Sequence, residues 1–216
     1  MQQTTSFHQD FLNKQAQFGG YRINNMNIIA LPHVYHPAPG YSSFFMLNPI
    51  QEIYQNLQTK KKRLLELGCG TGVIGLSLGK YVEELYLSDI AAHATFCARL
   101  NTLINFRNAK IYRSDLFQSL PKVLFDVILF NTPLFDKPIE SVGELTTNDP
   151  GGDIVLKFLR KIPAYLAPQG EVFFSYSTIG DLNALNKIPS NFVVEKIVET
   201  PYAETDKKYL FRLTMK

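Results

Sequence analysis

From residue 63 onward the apolar positions repeat one unit: a short strand-like run, a turn, then a longer stretch at helical spacing. Such alternation predicts strands lying parallel in one sheet with helices packed across it. RLLEL (63 to 67) leads into GCGTG and a helix near 72 to 80, and ELYLS (84 to 88) leads into a helix carrying Phe96, Leu100, Leu103 and Ile104. AKIYRS (109 to 114) is the third strand, and FDVILF (125 to 130) lacks polar alternation, as a central parallel strand covered on both faces should. After a long loop, 132 to 152, Asp153 is expected to cap a helix with Val155, Phe158, Leu159, Ile162 and Leu166 on one side, bent at Pro163 and stopped by Pro168 and Gly170. EVFFSYS (171 to 177) is the fifth strand. FVVEKIVE and KYLFRLTM are separated by too few residues for a helical crossover and should pair antiparallel, with Tyr209, Phe211, Leu213 and Met215 on the better-covered face. The expected fold is α/β, a doubly wound, mostly parallel sheet ending in an antiparallel hairpin.

Residues 1 to 60 read as an extension or cap packed on a domain spanning 61 to 216. They carry a helix-like stretch with Phe7, Phe11 and Phe18, a hairpin around Asn24 and Asn25, and a proline-rich entry, LPHVYHPAPG. A helix follows, with Asn48 as N-cap, Pro49 at its first position and Ile50, Ile53, Tyr54 and Leu57 on one face. Lys60, Lys61, Lys62 and Arg63 would then complement the dipole at its C-terminus. The overall net charge of +3, with 19% charged residues, is too balanced for a chain held to nucleic acid mainly by long-range attraction. Two cysteines, Cys69 and Cys97, offer no disulfide framework, so a reducing, cytoplasmic setting is expected. No stretch approaches the roughly 20 apolar residues of a membrane span, and 45% apolar residues suffice for a sizeable core.

The sharpest chemical feature is Glu66-x-Gly68-x-Gly70-x-Gly72 at the end of the first strand of the sheet, where glycines let a ligand lie against the main chain. Gly70 to Gly75 also matches the dinucleotide pattern GxGxxG, with Asp89 a plausible distance onward, and the glycines alone do not choose. Charge does. Glu66, Asp89 and Asp115 stand at the carboxyl ends of successive strands, on the side where doubly wound sheets bind ligands. Three carboxylates and no loop lysine or arginine suit a cation better than a pyrophosphate. S-adenosyl-L-methionine brings a sulfonium, an ammonium, two ribose hydroxyls and an adenine amino group; Asp89 is placed to accept the hydroxyls, Asp115 the amino group, with Leu116 beside it and Ile90 against the ring. The bland readings are that Glu66 pairs with a lysine and that Asp115 caps the turn at LFQSL.

ELGCGTGVIGLSL, SDI, SDLF and FDVILFNTPLF, in that order over 63 to 177, resemble the class I S-adenosylmethionine-dependent methyltransferases, with their Rossmann-like sheet. The likeness is greatest to the branch holding the HemK-like protein-glutamine methyltransferases and the small-domain rRNA guanine methyltransferases. The resemblance implies the methionine end of the cofactor over the glycine loop, its ribose on Asp89 and its adenine near Asp115, with S-adenosyl-L-homocysteine as product. At the end of the fourth strand the chain has Asn131-Thr132-Pro133-Leu134, where the family has Asn-Pro-Pro-Tyr. In the family motif the Asn oxygen and a backbone carbonyl accept the two N–H bonds of a planar nitrogen while the aromatic ring stacks on it. Asn131 and Pro133 keep half of that design as the expected catalytic pair, with Asn131 also expected against the cofactor; Leu134 cannot stack, and Phe135 is the candidate replacement. DPGGD (149 to 153) resembles the glycine-rich entry to the next helix in the HemK-like proteins, and the loop before it is expected to line the acceptor site.

The implied activity is methyl transfer to a nitrogen of a protein glutamine, an rRNA or tRNA base, or a small molecule. An NAD-type oxidoreductase using the shifted glycine register, or an inactive S-adenosylmethionine-binding module, are the competing readings. No metal is expected: His33 and His36 lack a carboxylate or cysteine cluster, and His93 suits a solvated helix start. Cys69 beside Glu66 is a poor nucleophile. Tyr35, Tyr41, Phe44 and Phe45 are expected in the core rather than stacked on a substrate ring.

Overall fold

The computed structural model describes residues 11–38, 42–201 and 205–216, so Phe7 and Tyr41 lie outside the described residues. Residues 11–15 are helical. The strands β1 (Gly19–Ile23) and β2 (Met26–Ala30) form a hairpin whose two-residue turn is Asn24–Asn25, both at positive φ (49° and 61°), as the favoured hairpin turn requires. The main sheet contains β3 (Lys61–Leu67), β4 (Val82–Asp89), β5 (Lys110–Arg113), β6 (Phe125–Asn131), β7 (Leu166–Ser177), β8 (Phe192–Pro201) and β9 (Lys207–Met215). Its order is β5-β4-β3-β6-β7-β9-β8; β9 runs antiparallel to both neighbours and the remaining pairs are parallel. Helices α1 (Ser42–Tyr54), α2 (Val73–Leu78), α3 (Ala92–Ile104) and α4 (Asp153–Lys161) complete the layers.

Alternate side chains of the central strands enter two separate cores. Leu64, Val127, Leu129 and Phe173 pack with Met46, Leu47 and Ile50 of α1 on one face, while Leu65, Ile128, Phe130 and Phe174 pack with Val155, Phe158 and Leu159 of α4 on the other. Burial on both faces is why FDVILF shows no polar alternation. Chain order reverses between β4 and β6, on either side of β3, which places the crevice for a ligand beyond the carboxyl end of β3.

Several boundaries differ from the sequence reading. Helix α1 starts at Ser42, so Asn48 is not its cap and Pro49 lies inside it. Ser43, Met46, Leu47, Ile50 and Tyr54 make one buried stripe, and its burial outweighs the single hydrogen bond Pro49 cannot donate. The basic run does not sit at that helix's C-terminus: Lys61 to Arg63 open β3, where Lys61 pairs with Glu171 at 3.4 Å and Arg63 with Glu84 at 3.2 Å. Asp153 does not cap α4. The Asp149 carboxylate accepts from the amides of Ile154 and Val155, at 2.7 and 3.1 Å, four residues earlier in the chain. Helix α4 ends at Lys161, Pro163 sits in a separate 3-10 turn, and Leu166 already belongs to β7, paired with Phe125 across a bulge that absorbs Pro168 and Gly170. On β9 the cover is two-sided: Leu213 is buried in one core, Leu210 in the other, and Lys208 is buried as well.

Helix α3 turns its small side inward. Ala94, Cys97, Ala98 and Asn101 are buried, whereas Phe96 and Leu103 are 56% and 73% exposed. The small face lets β2 approach closely enough for side-chain pairing. Asn101 Oδ1 accepts from the Ile29 amide and its Nδ2 donates to the Ile29 carbonyl, both at 2.7 Å, and Asn105 repeats the pair on Asn27 at 2.8 Å. Two carboxamides thus act as a strand edge for the hairpin.

Candidate active site

A cavity of about 270 Å³ opens at the carboxyl ends of β3, β4 and β6. Its floor is the loop after β3. Gly70 holds φ at 52°, a left-handed conformation that turns its amide onto Asp89 Oδ2 at 2.9 Å. Asp89 Oδ1 takes the Ala91 amide at 2.9 Å. The carboxylate therefore ties the glycine loop to the start of α3, and each oxygen keeps a second lone pair for a hydroxyl.

Glu66 reaches under the loop, 3% exposed, and Oε2 accepts from the Gly75 amide at 2.8 Å. It pairs with no lysine. Burial pushes its carboxyl up to about 8, with the neighbouring Asp89 adding to the rise. Gly75, the last glycine of the dinucleotide pattern, is fixed by this contact, since a Cβ there would lie 2.7 Å from Glu66 Oε2 and 2.6 Å from Leu87. Burial likewise raises the Asp89 carboxyl. Two carboxyls raised in this way, Glu66 buried and Asp89 partly exposed, are what a cationic ligand would relieve. The groups at hand fit S-adenosyl-L-methionine: Glu66 and the glycine loop for the amino acid end, Asp89 for the ribose, and Asp115, Leu116 and Ile90 along the far wall.

Every residue singled out beforehand for the cofactor except Gly72 lines this cavity: Glu66, Gly68, Gly70, Asp89, Ile90, Asp115, Leu116 and Asn131, together with Pro133. Gly72 sits just behind, at φ 76° ahead of α2, with Leu87 3.0 Å from where its Cβ would be. The turn at LFQSL is braced by Ser114 rather than by the Asp115 side chain: its hydroxyl donates to the Leu116 carbonyl at 2.8 Å and accepts from the Ser119 amide at 2.9 Å. Cys69 is buried in the wall and its thiol is pushed well up by burial and the two carboxylates, which leaves it inert.

The acceptor side differs more from expectation. Asn131 borders the cavity, and its Oδ1 accepts from the Ser175 hydroxyl at 2.8 Å. Thr132 turns away, donating to the Ser175 carbonyl. Phe135 does not supply a ring: it is 6% exposed and absent from the lining, because its backbone pairs with Thr147 and Asp149 and draws the side chain inward. The loop folds back instead, bringing Ile139, Val142, Leu145 and Thr146 to the mouth, with Ile154 and Lys157 of α4.

The entry segment contributes His33, Val34 and Tyr35 to the opposite rim, although Tyr35 had been assigned to the core. Phe44 and Phe45 do pack against a core. His93 lines the rim too, bonded to the His33 carbonyl at 3.1 Å. His36 is buried elsewhere, its ring nitrogens engaged by Tyr21 Oη at 2.7 Å and the Gln17 carbonyl at 3.1 Å. The rim residues come from a proline-rich segment without periodicity, which gave no local signal that they border a site.

Sheet order, switch-point cavity and convergent carboxylates define a class I S-adenosylmethionine-dependent methyltransferase. Residues 48–192 match the model of the methyltransferase small domain, and the chain belongs to that family. A putative protein N5-glutamine methyltransferase of Methanocaldococcus jannaschii is 32% identical over 182 residues, 80% of this chain and 88% of the relative. The ribosomal RNA small subunit methyltransferase C of Actinobacillus pleuropneumoniae is 34% identical over 118 residues, covering 54% of this chain and 35% of its own length. Among solved structures, a T. thermophilus 16S rRNA N2 methyltransferase in complex with AdoMet and guanosine superposes with a TM-score of 0.70 at 18% identity, over 93% of this chain and 50% of that one. The E. cuniculi Mtq2–Trm112 complex, described as methylating the termination factor eRF1, gives 0.63 at 16% identity, over 85% and 99%. The dinucleotide oxidoreductase reading is not favoured. Among the described residues, no helix is long and apolar enough to cross a membrane.

Proposed function

We propose that this methyltransferase acts on the side-chain amide nitrogen of a glutamine presented by a protein. The observation that carries the reading is the character of the mouth around Asn131. The loop 132 to 152 keeps its charged residues, Asp136, Lys137, Glu140, Glu144 and Asp149, out of the lining, and the one cation brought to the opening from this side is Lys157 of α4. Ile139, Val142 and Leu145 line the opening and are 38%, 51% and 38% exposed. An apolar collar with a single lysine offers an RNA strand few partners for its phosphates and suits a polypeptide loop. The glutamine-methylating relative also spans most of both chains.

S-adenosyl-L-methionine, when bound, supplies a methyl group on a sulfonium. Glu66 and the glycine loop hold its amino acid end, Asp89 its ribose, and Asp115, Ile90 and Leu116 its base. In this reading Asn131 Oδ1 accepts one N–H of the acceptor amide and a main-chain carbonyl of the turn at Pro133, which also lines the cavity, accepts the other. Holding both hydrogens would turn the nitrogen lone pair toward the methyl group that the bound cofactor supplies, with S-adenosylhomocysteine as the leaving group and the amide proton lost to water. Orientation supplies much of the rate, and no strong base is required. The reading is tested by incubating the protein with radiolabelled S-adenosylmethionine and either ribosomal RNA or ribosome-free cell protein. Label in a protein, mapped to one glutamine by a mass increase of one methylene, is the expected result; label confined to RNA overturns it.

A further inference from the structure

We infer that Ser175 is a positioning residue that sets which face of the Asn131 carboxamide meets the acceptor. The inference rests on the proposed acceptor role of Asn131. Ser175 lies on β7 with Asn131 as its Cα partner on β6, and it is fully buried. Its hydroxyl donates to Asn131 Oδ1 at 2.8 Å, while its carbonyl receives the hydroxyl of Thr132, itself 4% exposed. One residue therefore grips the chain at two successive positions where β6 ends.

A carboxamide has two ends that differ in kind, since the oxygen accepts through two lone pairs and the nitrogen only donates. In the observed arrangement the Ser175 hydroxyl donates to Oδ1, which holds the oxygen end of the carboxamide on Ser175. One lone pair of Oδ1 is taken, and the second is left for an acceptor N–H at the cavity that Asn131 lines. A flipped amide would set its own N–H against the incoming one. The Thr132 bond supports the same orientation from the main chain, in the place where the family motif carries a rigid proline. Thr132, which reads from sequence as a polar intrusion at the acceptor, is instead the second half of this clamp.

The test compares Ser175→Ala and Ser175→Cys with wild type and with Asn131→Ala, using tritiated S-adenosylmethionine and the protein fraction that wild type labels. Alanine removes the donor; cysteine restores most of the volume with only a weak donor. Both variants are expected to lower kcat by roughly 10- to 100-fold while the affinity for S-adenosylhomocysteine is unchanged. On the Asn131→Ala background, Ser175→Ala should cause no additional loss, because it acts through the missing carboxamide. The side-chain amide resonances of Asn131, identified by their disappearance in Asn131→Ala, should shift or broaden in Ser175→Ala. Wild-type turnover in Ser175→Ala, full recovery with cysteine, or additive losses in the double variant would each overturn the inference. Unimpaired turnover in Asn131→Ala would bring down the acceptor reading and this inference together, whereas an impaired Asn131→Ala beside a fully active Ser175→Ala sinks only the latter.

Discussion

Replacing Glu66 by glutamine removes a charge while leaving an oxygen for the Gly75 amide, so it isolates titration from hydrogen bonding. The folded carboxyl sits at about 8, against an ordinary value of 4.5, because burial disfavours its charged form. Between those limits the folded protein holds a proton that the unfolded chain releases, so stability is fully present below 4.5 and declines as pH rises to about 8. At about 1.4 kcal/mol per pH unit, the cofactor-free protein loses at most roughly 3 kcal/mol by pH 7 and roughly 5 at pH 8 and above. Urea unfolding of both proteins from about pH 5 to about pH 9 reads this, since groups remote from Glu66 are shared and cancel in the difference, leaving only Glu66 and the neighbours that feel its charge, Asp89 and Cys69. The glutamine variant should be increasingly the more stable of the two as pH rises, and the difference should level off above pH 8. Parallel stability curves, or a difference that grows toward acid, would refute a buried, uncompensated carboxyl. The same charge serves the cofactor. Affinity of the wild type for S-adenosylhomocysteine should climb through this pH range, and the variant's should stay flatter in calorimetry.

Asp89→Asn keeps one acceptor for the loop amides but weakens the ribose site, so S-adenosylhomocysteine affinity should fall at least about tenfold, the equivalent of 1.4 kcal/mol, with only a small change in unfolding temperature. Asn131→Ala should leave that affinity intact and cut turnover by roughly 100-fold in the transfer assay; a loss of binding instead would show that the residue serves the cofactor. Gly75→Ala forces a Cβ against Glu66 and Leu87 and should destabilise the fold by about 1–3 kcal/mol in urea unfolding. Tyr54→Phe removes the hydroxyl that donates to buried Glu171 at 2.6 Å and should cost about 1–3 kcal/mol without touching cofactor affinity.

The lining of the cavity beyond β3 and β4 was legible because its parts are local: each carboxylate lies at or just past a strand end, and strand ends can be read from runs such as RLLEL and FDVILF. The acceptor half was not. The role of Thr132 depends on Ser175, 43 residues later and on a neighbouring strand, and sheet order is invisible to a window of local pattern. Phe135 misled for a similar reason, since the bonds of Thr147 and Asp149 that draw it inward come from the far side of a loop without periodicity. Asp149 shows how a cap can escape detection when two left-handed glycines, Gly151 and Gly152, separate it from the helix it serves. Helix α3 was located by Phe96 and Leu103, whose spacing is helical although both face outward; periodicity found the helix, and only packing against β2 reveals which side is inside.

The carboxamide pairing of Asn101 and Asn105 with the first hairpin makes the start of the chain hard to separate from the rest. Cutting the chain ahead of Ser42 would strip from α3 the four carboxamide hydrogen bonds and the contacts of Cys97 and His93 with the Ile29 and His33 carbonyls, open Cys97 to water, and take away His33, Val34 and Tyr35 from the rim of the cavity. A shortened version carrying the whole glycine loop and all three strand-end acids would therefore be a blunted enzyme, missing one wall of the room it works in.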